Sequence, residues 1–162
     1  MLTGFQAFLT FLFFLSISFL FLSVKVVPQS KVYVIERFGK YTKTLESGLS
    51  IIIPFLDRVA HKVDVLERQL PKFQISVITK DNVEVGLVST VFFRILDASK
   101  SVYRIKNIDS AIENTAISVI RSAAGKLELD DLQSSRESMN LEIKERLGKA
   151  AEIWGVEGTR TE

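Results

Sequence analysis

The longest hydrophobic segment of the chain lies at its N-terminus, between Leu2 and Val24. It contains no charged residue, and sixteen of its twenty-three residues are apolar, seven of them Phe. A helix of about 20 apolar residues spans the hydrocarbon core of a bilayer and satisfies its own backbone hydrogen bonds there. No Lys or Arg precedes the segment and no small-residue cleavage site follows it, which favours an uncleaved anchor over a signal peptide. We therefore predict a transmembrane helix over residues 2–24.

The next segments alternate apolar and polar side chains, a pattern that is typical of strands. Lys31–Phe38 alternates in this way and ends at Gly39. Farther on, Phe73–Thr79 and Val83–Leu96 flank a polar turn made of three residues, Lys80-Asp81-Asn82. These two segments and their turn predict an antiparallel hairpin with one buried face.

The run from Leu49 to Leu56 is almost wholly apolar and has two interpretations. We favour a buried strand that ends at Pro54, because short apolar runs usually belong to a core and Pro cannot donate to a central ladder. The other interpretation is a loop that dips into the lipid headgroups. The candidate membrane-contacting residues of this run are Leu49, Ile52, Pro54 and Phe55.

Two segments in the second half of the chain have the period of amphipathic helices. The first runs from Ile108 to Ala123 and the second begins near Ser134 and ends at Trp154. Each begins with a capping-box pattern and is followed by a Gly. In the first helix Ser110 and Glu113 form the pattern and Gly125 follows, and in the second Ser134 and Glu137 form it and Gly155 follows. Strands followed by helices, without regular alternation, predict an α+β fold for residues 25–162.

Charge is spread unevenly over the chain after the hydrophobic segment. Residues 25–80 carry ten basic and five acidic side chains, whereas residues 81–162 carry eleven basic and fourteen acidic ones. Basic residues that follow a membrane helix mark the cytoplasmic side, so we expect the domain to face the cytoplasm. The basic part is either an attraction for anionic lipids or an ordinary solvated surface. The absence of Cys excludes disulfides and thiolate metal sites.

The residues offer little that could carry out catalysis. His61 is the single His, and an isolated His is a poor metal site. Glu128, Asp130 and Asp131 form an acidic cluster between the two predicted helices, where we expect carboxylates to favour the positive end of the second helix. The basic stretch lacks the interleaved exposed aromatics that single-stranded nucleic acids require. We therefore predict a protein that is not an enzyme, with no cofactor, no metal and no nucleic acid partner.

A series of short motifs follows in order along the chain: Val27-Pro28-Gln29, Glu36–Tyr41, Gly48-Leu49, Pro54–Val59, Val77–Val83, Val102-Tyr103, Arg121–Asp130, Ser135–Glu137 and Trp154–Val156. This order resembles the SPFH or Band 7 domain of stomatins, prohibitins and flotillins, and it looks most like the stomatin-like (paraslipin) branch. The resemblance covers Val27 to the last residue.

The resemblance implies a non-enzymatic scaffold at a membrane, with the bacterial inner membrane as the expected location. Members of the family assemble into large membrane-bound homo-oligomers and organise lipid microdomains. The partners it implies are membrane lipids, a membrane-embedded AAA+ protease and a small membrane protein of the NfeD type.

Two departures from the family pattern bear on assembly. The long coiled coil that usually follows the domain is not found before Glu162, and Gly158 stands where a strand former is expected. We therefore expect a truncated C-terminal end. One alternative to an oligomeric scaffold is a membrane-tethered hydrolase or a protease-associated enzyme, which would need His61 or the acidic cluster. The other is a truncated remnant that only binds lipid.

Overall fold

The computed structural model describes residues 4–161, and the chain divides into two compact units between Asp64 and Val65. The first unit contains α1 (Gly4–Ser23), β1 (Val24–Val27), β2 (Lys31–Arg37), β3 (Lys40–Leu45), β4 (Gly48–Ile51) and β5 (Asp57–Asp64). The second contains β6 (Arg68–Gln69), β7 (Phe73–Ile78), β8 (Glu84–Ser89), β9 (Val91–Ile95), α2 (Ala98–Tyr103), α3 (Ile108–Ala124), α4 (Leu129–Ser134), α5 (Arg136–Ala151), a short 3₁₀ turn (Glu152–Trp154) and β10 (Val156–Thr161).

The apolar segment predicted to cross the membrane forms a helix, α1, which is long and apolar enough to do so by its length and composition. Leu2 and Thr3 lie outside the described residues, and Val24 is the first residue of β1 rather than the last of the helix. None of the apolar stretch of α1 is buried within the protein. A helix that exposes apolar side chains and has no charged residue suits an apolar surrounding, and membrane spanning stays a prediction for α1.

The first unit is built from two small antiparallel sheets. β1 pairs with β4, and β2 lies between β3 and β5. Four buried side chains, one from each of β1, β2 and β3 and one from the residue after β4, form the core of this unit: Val27, Ile35, Leu45 and Ile52. Tyr33 and Val59 pack against this core.

Two predictions for this unit need correction. The strand predicted to end at Phe38 ends at Arg37, because Phe38 has a left-handed backbone with φ of 51° and belongs to a turn. The run from Leu49 to Leu56 is not a buried strand. Only its first three residues, Leu49 to Ile51, belong to the four-residue strand β4, and the remainder leads into a turn.

The second unit contains the predicted hairpin, in part. β7 and β8 pair from Phe73 opposite Ser89 to Ile78 opposite Glu84. The long strand predicted over Val83–Leu96 is wrong, because it breaks at Thr90 into β8 and β9, which lie in different sheets. Thr90 is buried at the break, where its hydroxyl donates to the carbonyl of Leu70 at 2.8 Å.

Both predicted helices are present as α3 and α5, but their caps differ from the prediction. The side chain of Asn107, rather than Ser110, caps α3 by accepting the N–H of Ser110 at 3.2 Å. The residues before α5 form a separate helix, α4, and Ser135 is the N-cap of α5. The short helix α2 was not predicted. Asp97 caps it by accepting the N–H groups of Ser99 and Lys100.

The last strand forms in spite of its Gly. β10 pairs with β9, and the register shifts between Gly158 and Arg160. A bulge of this kind accommodates a Gly within a strand. A Cβ on Gly158 would lie 3.8 Å from Leu147 Cδ2 of α5, an ordinary van der Waals contact, so the packing of Leu147 does not require a Gly at this position. The strand-rich first half and helical second half confirm the α+β prediction.

Candidate membrane-contact surface

The helix α1 leads into the first unit without a linker. The N–H of Ile52 donates to the carbonyl of Ser23 at 2.9 Å, and Val24 pairs with Ile51 across β1 and β4. Ser23 is buried and donates its hydroxyl to the carbonyl of Phe19 at 2.9 Å. Hydrogen bonds therefore hold the last turn of the helix to the end of β4, so this end of the β1–β4 pair lies beside the C-terminal end of α1.

One face of the β1–β4 pair is apolar and exposed. Alternate residues of each strand lie on the same face, and they stand opposite one another in the register, Val24 with Ile51 and Val26 with Leu49. All four side chains are exposed. We call these four residues the apolar ribbon face.

A tight turn joins β2 to β3. Arg37 pairs with Lys40, so Phe38 and Gly39 alone form the turn, and both have positive φ, 51° and 77°. These are the requirements of a type I′ turn, in which Asn, Asp or Gly usually occupies the first position. A bulky residue in this conformation is an outlier that costs about 1–2 kcal/mol. Phe38 is nevertheless 84% exposed, so no packing within the described residues compensates for the cost.

A second exposed Phe occupies the turn between β4 and β5. Phe55 has φ of 68° and is 89% exposed. The N–H of Asp57 donates to the carbonyl of Ile53 at 2.9 Å, which closes the turn. In return, Asp57 Oδ2 accepts the N–H of Ile53 at 2.9 Å.

The carboxylate of Asp57 connects the two turns. Arg37 Nε donates to Asp57 Oδ1 at 2.7 Å, and the two residues are paired across β2 and β5. The Asp57 side chain is fully buried, whereas the Arg37 side chain is 36% exposed. The two Phe turns therefore lie at the same end of the sheet. We call Phe38 and Phe55 the aromatic tip.

Basic side chains surround the aromatic tip. Lys40 follows the first turn and Arg58 follows Asp57, and both are exposed. Arg58 pairs with Glu36 in the register of β2 and β5. Exposed Phe side chains with Lys and Arg beside them also occur in segments that lie in the membrane interface and bind anionic lipid.

The candidate residues from the sequence separate into two pairs. Leu49 and Phe55 are exposed, at 78% and 89%, and membrane contact stays a prediction for them. Ile52 is only 5% exposed in the core of the unit, and Pro54 is buried as well, so neither side chain is available for lipid contact. Exposed and buried side chains alternate along this segment, but nearly all of them are apolar, so the sequence does not distinguish the two sets.

Three exposed members of this surface were missed from the sequence. Phe38 is predicted as a strand residue, because only Gly39 of the two turn residues is of a type that hairpin turns favour. Ile51 lies two residues after Leu49 in β4, so the alternation of the strand predicts that both lie on the same face. Val26 is the residue of β1 that pairs with Leu49.

The remaining candidates from the sequence do not form a site. His61 lies in β5 with its side chain exposed. Glu128 forms an ion pair with Lys80 at 3.2 Å, while Asp130 and Asp131 occupy the first turn of α4, where carboxylates favour the positive end of the helix. Among residues 4–161, no group of three or more His, Asp or Glu side chains is arranged to hold a metal ion.

We expect Asp57→Asn to destabilise the protein at neutral pH and to make it less sensitive to acid. The guanidinium of Arg37, and then the N–H of Ile53, lower the pKa of Asp57. A lowered pKa in the folded state stabilises the fold above the unfolded value of about 3.9, and this contribution is lost as the pH falls through the folded pKa. Thermal unfolding should show a loss of about 5 °C at pH 7.

The same scans between pH 7 and pH 2.5 should show the two midpoints converging as the pH falls. Glu46→Gln is the matched control, since Glu46 is an exposed carboxylate of the same unit. Equal acid dependence of the wild-type chain and Asp57→Asn would contradict the role assigned to this carboxylate.

Comparison with known proteins identifies the family. A profile of the SPFH domain / Band 7 family matches residues 25–162. An uncharacterized protein of Methanothermobacter thermautotrophicus is 37% identical over 142 residues, 88% of this chain and 44% of the relative. An uncharacterized protein of Schizosaccharomyces pombe is 36% identical over 139 residues, 86% of this chain and 39% of the relative.

A third relative carries a family name. Human stomatin-like protein 2, mitochondrial, is 35% identical over 139 residues, again 86% of this chain and 39% of the relative. The chain thus spans about two fifths of the length of these relatives. The matches confirm the resemblance found in the ordered motifs of the sequence: this chain belongs to the SPFH domain / Band 7 family.

Proposed function

We propose that this chain is a membrane-anchored, non-enzymatic scaffold of the stomatin type, which self-associates on the membrane and presses its first unit against the bilayer surface. The observation that carries the proposal is the aromatic tip. Two Phe side chains occupy strained turns, are almost fully exposed, and lie at one end of a sheet in the unit that α1 enters directly.

Strain of this kind needs a compensating interaction. A left-handed backbone at a bulky residue persists only where the surroundings or the function favour it. In water, exposed Phe side chains gain nothing from this placement, whereas insertion into the interface removes apolar area from water at about 25 cal/mol per Å². The bilayer therefore supplies a reason for both turns.

The apolar ribbon face extends this contact. It begins with the residue after α1, so a membrane that receives the helix also lies beside Val24 and Ile51. The basic excess of residues 25–80 supports attraction to anionic lipids on the cytoplasmic side. This arrangement supports a cytoplasmic position for the first unit.

Membership of the family supports the further parts of the proposal. From it we propose two roles. The chain organises lipid microdomains, and it modulates a membrane-embedded AAA+ protease together with an NfeD-type membrane protein. The expected location is the bacterial inner membrane. Affinity purification of the chain from detergent extracts of native membranes should recover such a protease, and its absence after mild cross-linking would contradict this part.

Environment-sensitive labelling tests the surface contact. Because the chain has no Cys, Phe55→Cys gives one attachment site for the fluorophore NBD. In nanodiscs that contain anionic lipid, we expect the emission of NBD at position 55 to shift to the blue and to be quenched by lipids brominated near the headgroup.

Glu46→Cys is the control, because Glu46 is exposed and follows the end of β3 that is distant from the Phe38 turn. Its fluorophore should stay in an aqueous environment. Aqueous emission at position 55, equal to that at position 46, would overturn the surface contact while leaving the anchor in place.

A further inference from the structure

The second unit contains an apolar groove that the proposed function does not use. A cavity of about 520 Å³ lies between β8 on one side and α4 and α5 on the other. Five consecutive residues of β8, Val85 to Ser89, line it. Successive side chains of a strand point to opposite faces, so a cavity lined by consecutive residues runs along the edge of the strand rather than over one face.

The opposite wall of the groove is a helical stripe. Its residues recur at spacings of three and four along α4 and α5: Leu132, Arg136, Met139 and Ile143. Ile120 of α3 also lines the cavity. An open strand edge facing a helix across an apolar groove is the geometry in which domains receive an additional strand from another chain.

The edge of β8 has main-chain groups directed into this space. The N–H of Thr79 donates to the carbonyl of Val83, and hydrogen-bonded pairs alternate along an antiparallel ladder. Val85 and Leu87 therefore bond to β7, whereas the main-chain groups of Gly86 and Val88 point away from it. Among residues 4–161, no strand pairs with this edge of β8.

The charge of the groove selects the occupant. Arg136 is the one charged side chain among the described residues that line the cavity, and it takes part in no ion pair within the part of the chain that the structure describes. The guanidinium is exposed at the rim, where it complements a carboxylate on an incoming chain.

We propose that this groove binds an extended peptide segment of a partner protein, added as a strand to the edge of β8, with alternate apolar side chains in the groove and a carboxylate on Arg136. A strand of about six residues at roughly 3.3 Å each would match the length of β8. The site lies wholly in the second unit and stands independently of membrane contact.

The probe is a fluorescein-labelled peptide of alternating Thr and Val with a Glu at each end, measured by anisotropy against the full chain in nanodiscs. Empty nanodiscs correct for binding to lipid. The comparison peptide carries Lys in place of both Glu residues. We expect saturable binding of the Glu peptide and much weaker binding of the Lys peptide.

Two pairs of variants test the two recognition elements. Gly86→Pro removes an outward N–H and should lower the affinity about tenfold, since strand addition depends on such groups. Gly86→Ala keeps the N–H, and its Cβ fits because the nearest atom, Gln74 Nε2, is 3.6 Å away. Arg136→Glu should exchange the preference between the two peptides, a result that loss of folding cannot produce.

Either of two results would overturn the proposal. The first is a lack of specific peptide binding, seen either as equal binding of both peptides by all variants or as no saturation near millimolar peptide. The other is that Gly86→Pro and Arg136→Glu abolish self-association of the chain in sedimentation without peptide, which would assign the groove to a second copy instead.

Discussion

Two Arg residues in the centre of α1 are expected to detach the chain from membranes almost completely. Phe13 and Phe14 are exposed near the middle of the helix, so Phe13→Arg with Phe14→Arg places two charges at the depth of the hydrocarbon. Each costs about 2.5–3.5 kcal/mol to insert at the centre of a membrane helix. After an alkaline carbonate wash and flotation, the double variant should be in the soluble fraction, whereas the wild-type chain floats with lipid.

The matched control is Phe13→Leu with Phe14→Leu, which keeps the helix apolar and should float like the wild-type chain. The intact mass of the floated protein decides between an anchor and a signal peptide, because an anchor retains the apolar segment 2–24. Retention of the Arg variant in washed membranes would show that α1 is not the attachment.

Replacing Gly155 is expected to have the largest effect on folding. Gly155 ends the 3₁₀ turn with φ of 70°, and its carbonyl accepts the N–H groups of Leu96 and Asp97. A Cβ at this position would lie 2.7 Å from both the Cβ and the carbonyl oxygen of Asp97. Gly155→Ala combines left-handed strain with overlap against backbone, and should destabilise the second unit by about 3 kcal/mol.

A second Gly provides a control of opposite sign. Gly148 lies inside α5, and a Cβ there would meet no atom within 4 Å. Gly148→Ala should therefore stabilise by about 0.5–1 kcal/mol through helix propensity. Denaturant unfolding in detergent micelles measures both, and a Gly155→Ala variant as stable as the wild-type chain would contradict the contact with Asp97.

The features that sequence reasoning found are those that depend on local composition. The span of α1, the β7–β8 hairpin and the two long helices follow from uninterrupted apolar residues, from alternation around a polar turn and from helical spacing. Each of these patterns is complete within its own segment, so no knowledge of distant residues was required. The ordered motifs carried the family in the same way.

The failure at Thr90 depends on a contact between distant segments. Nothing local marks Thr90 as the point where one strand leaves its sheet for another, because its bond to Leu70 is a tertiary contact. The cap of α3 is a separate, local failure: Ser110 with Glu113 fits a capping box, but the helix begins at Ile108, so Asn107 is its N-cap. A pattern that two nearby residues satisfy does not determine which of them caps the helix.

The candidate surface was found only in part for a related reason. Composition directed attention to the run from Leu49 to Leu56 but could not separate exposed Leu49 and Phe55 from buried Ile52 and Pro54. That separation needs the pairing of β4 with β1. Phe38 was overlooked because Phe is a poor turn former, so its position is evident only once its backbone conformation is seen.

Cross-linking in native membranes tests whether this chain self-associates as a scaffold on a membrane. An amine-reactive cross-linker applied before detergent extraction, followed by size analysis, should give a ladder of species well above the 18.3 kDa monomer. The chain with Phe13→Arg and Phe14→Arg, examined at the same total amount, should give a weaker ladder, because it is no longer concentrated on the membrane. A strictly monomeric species from native membranes would contradict the account.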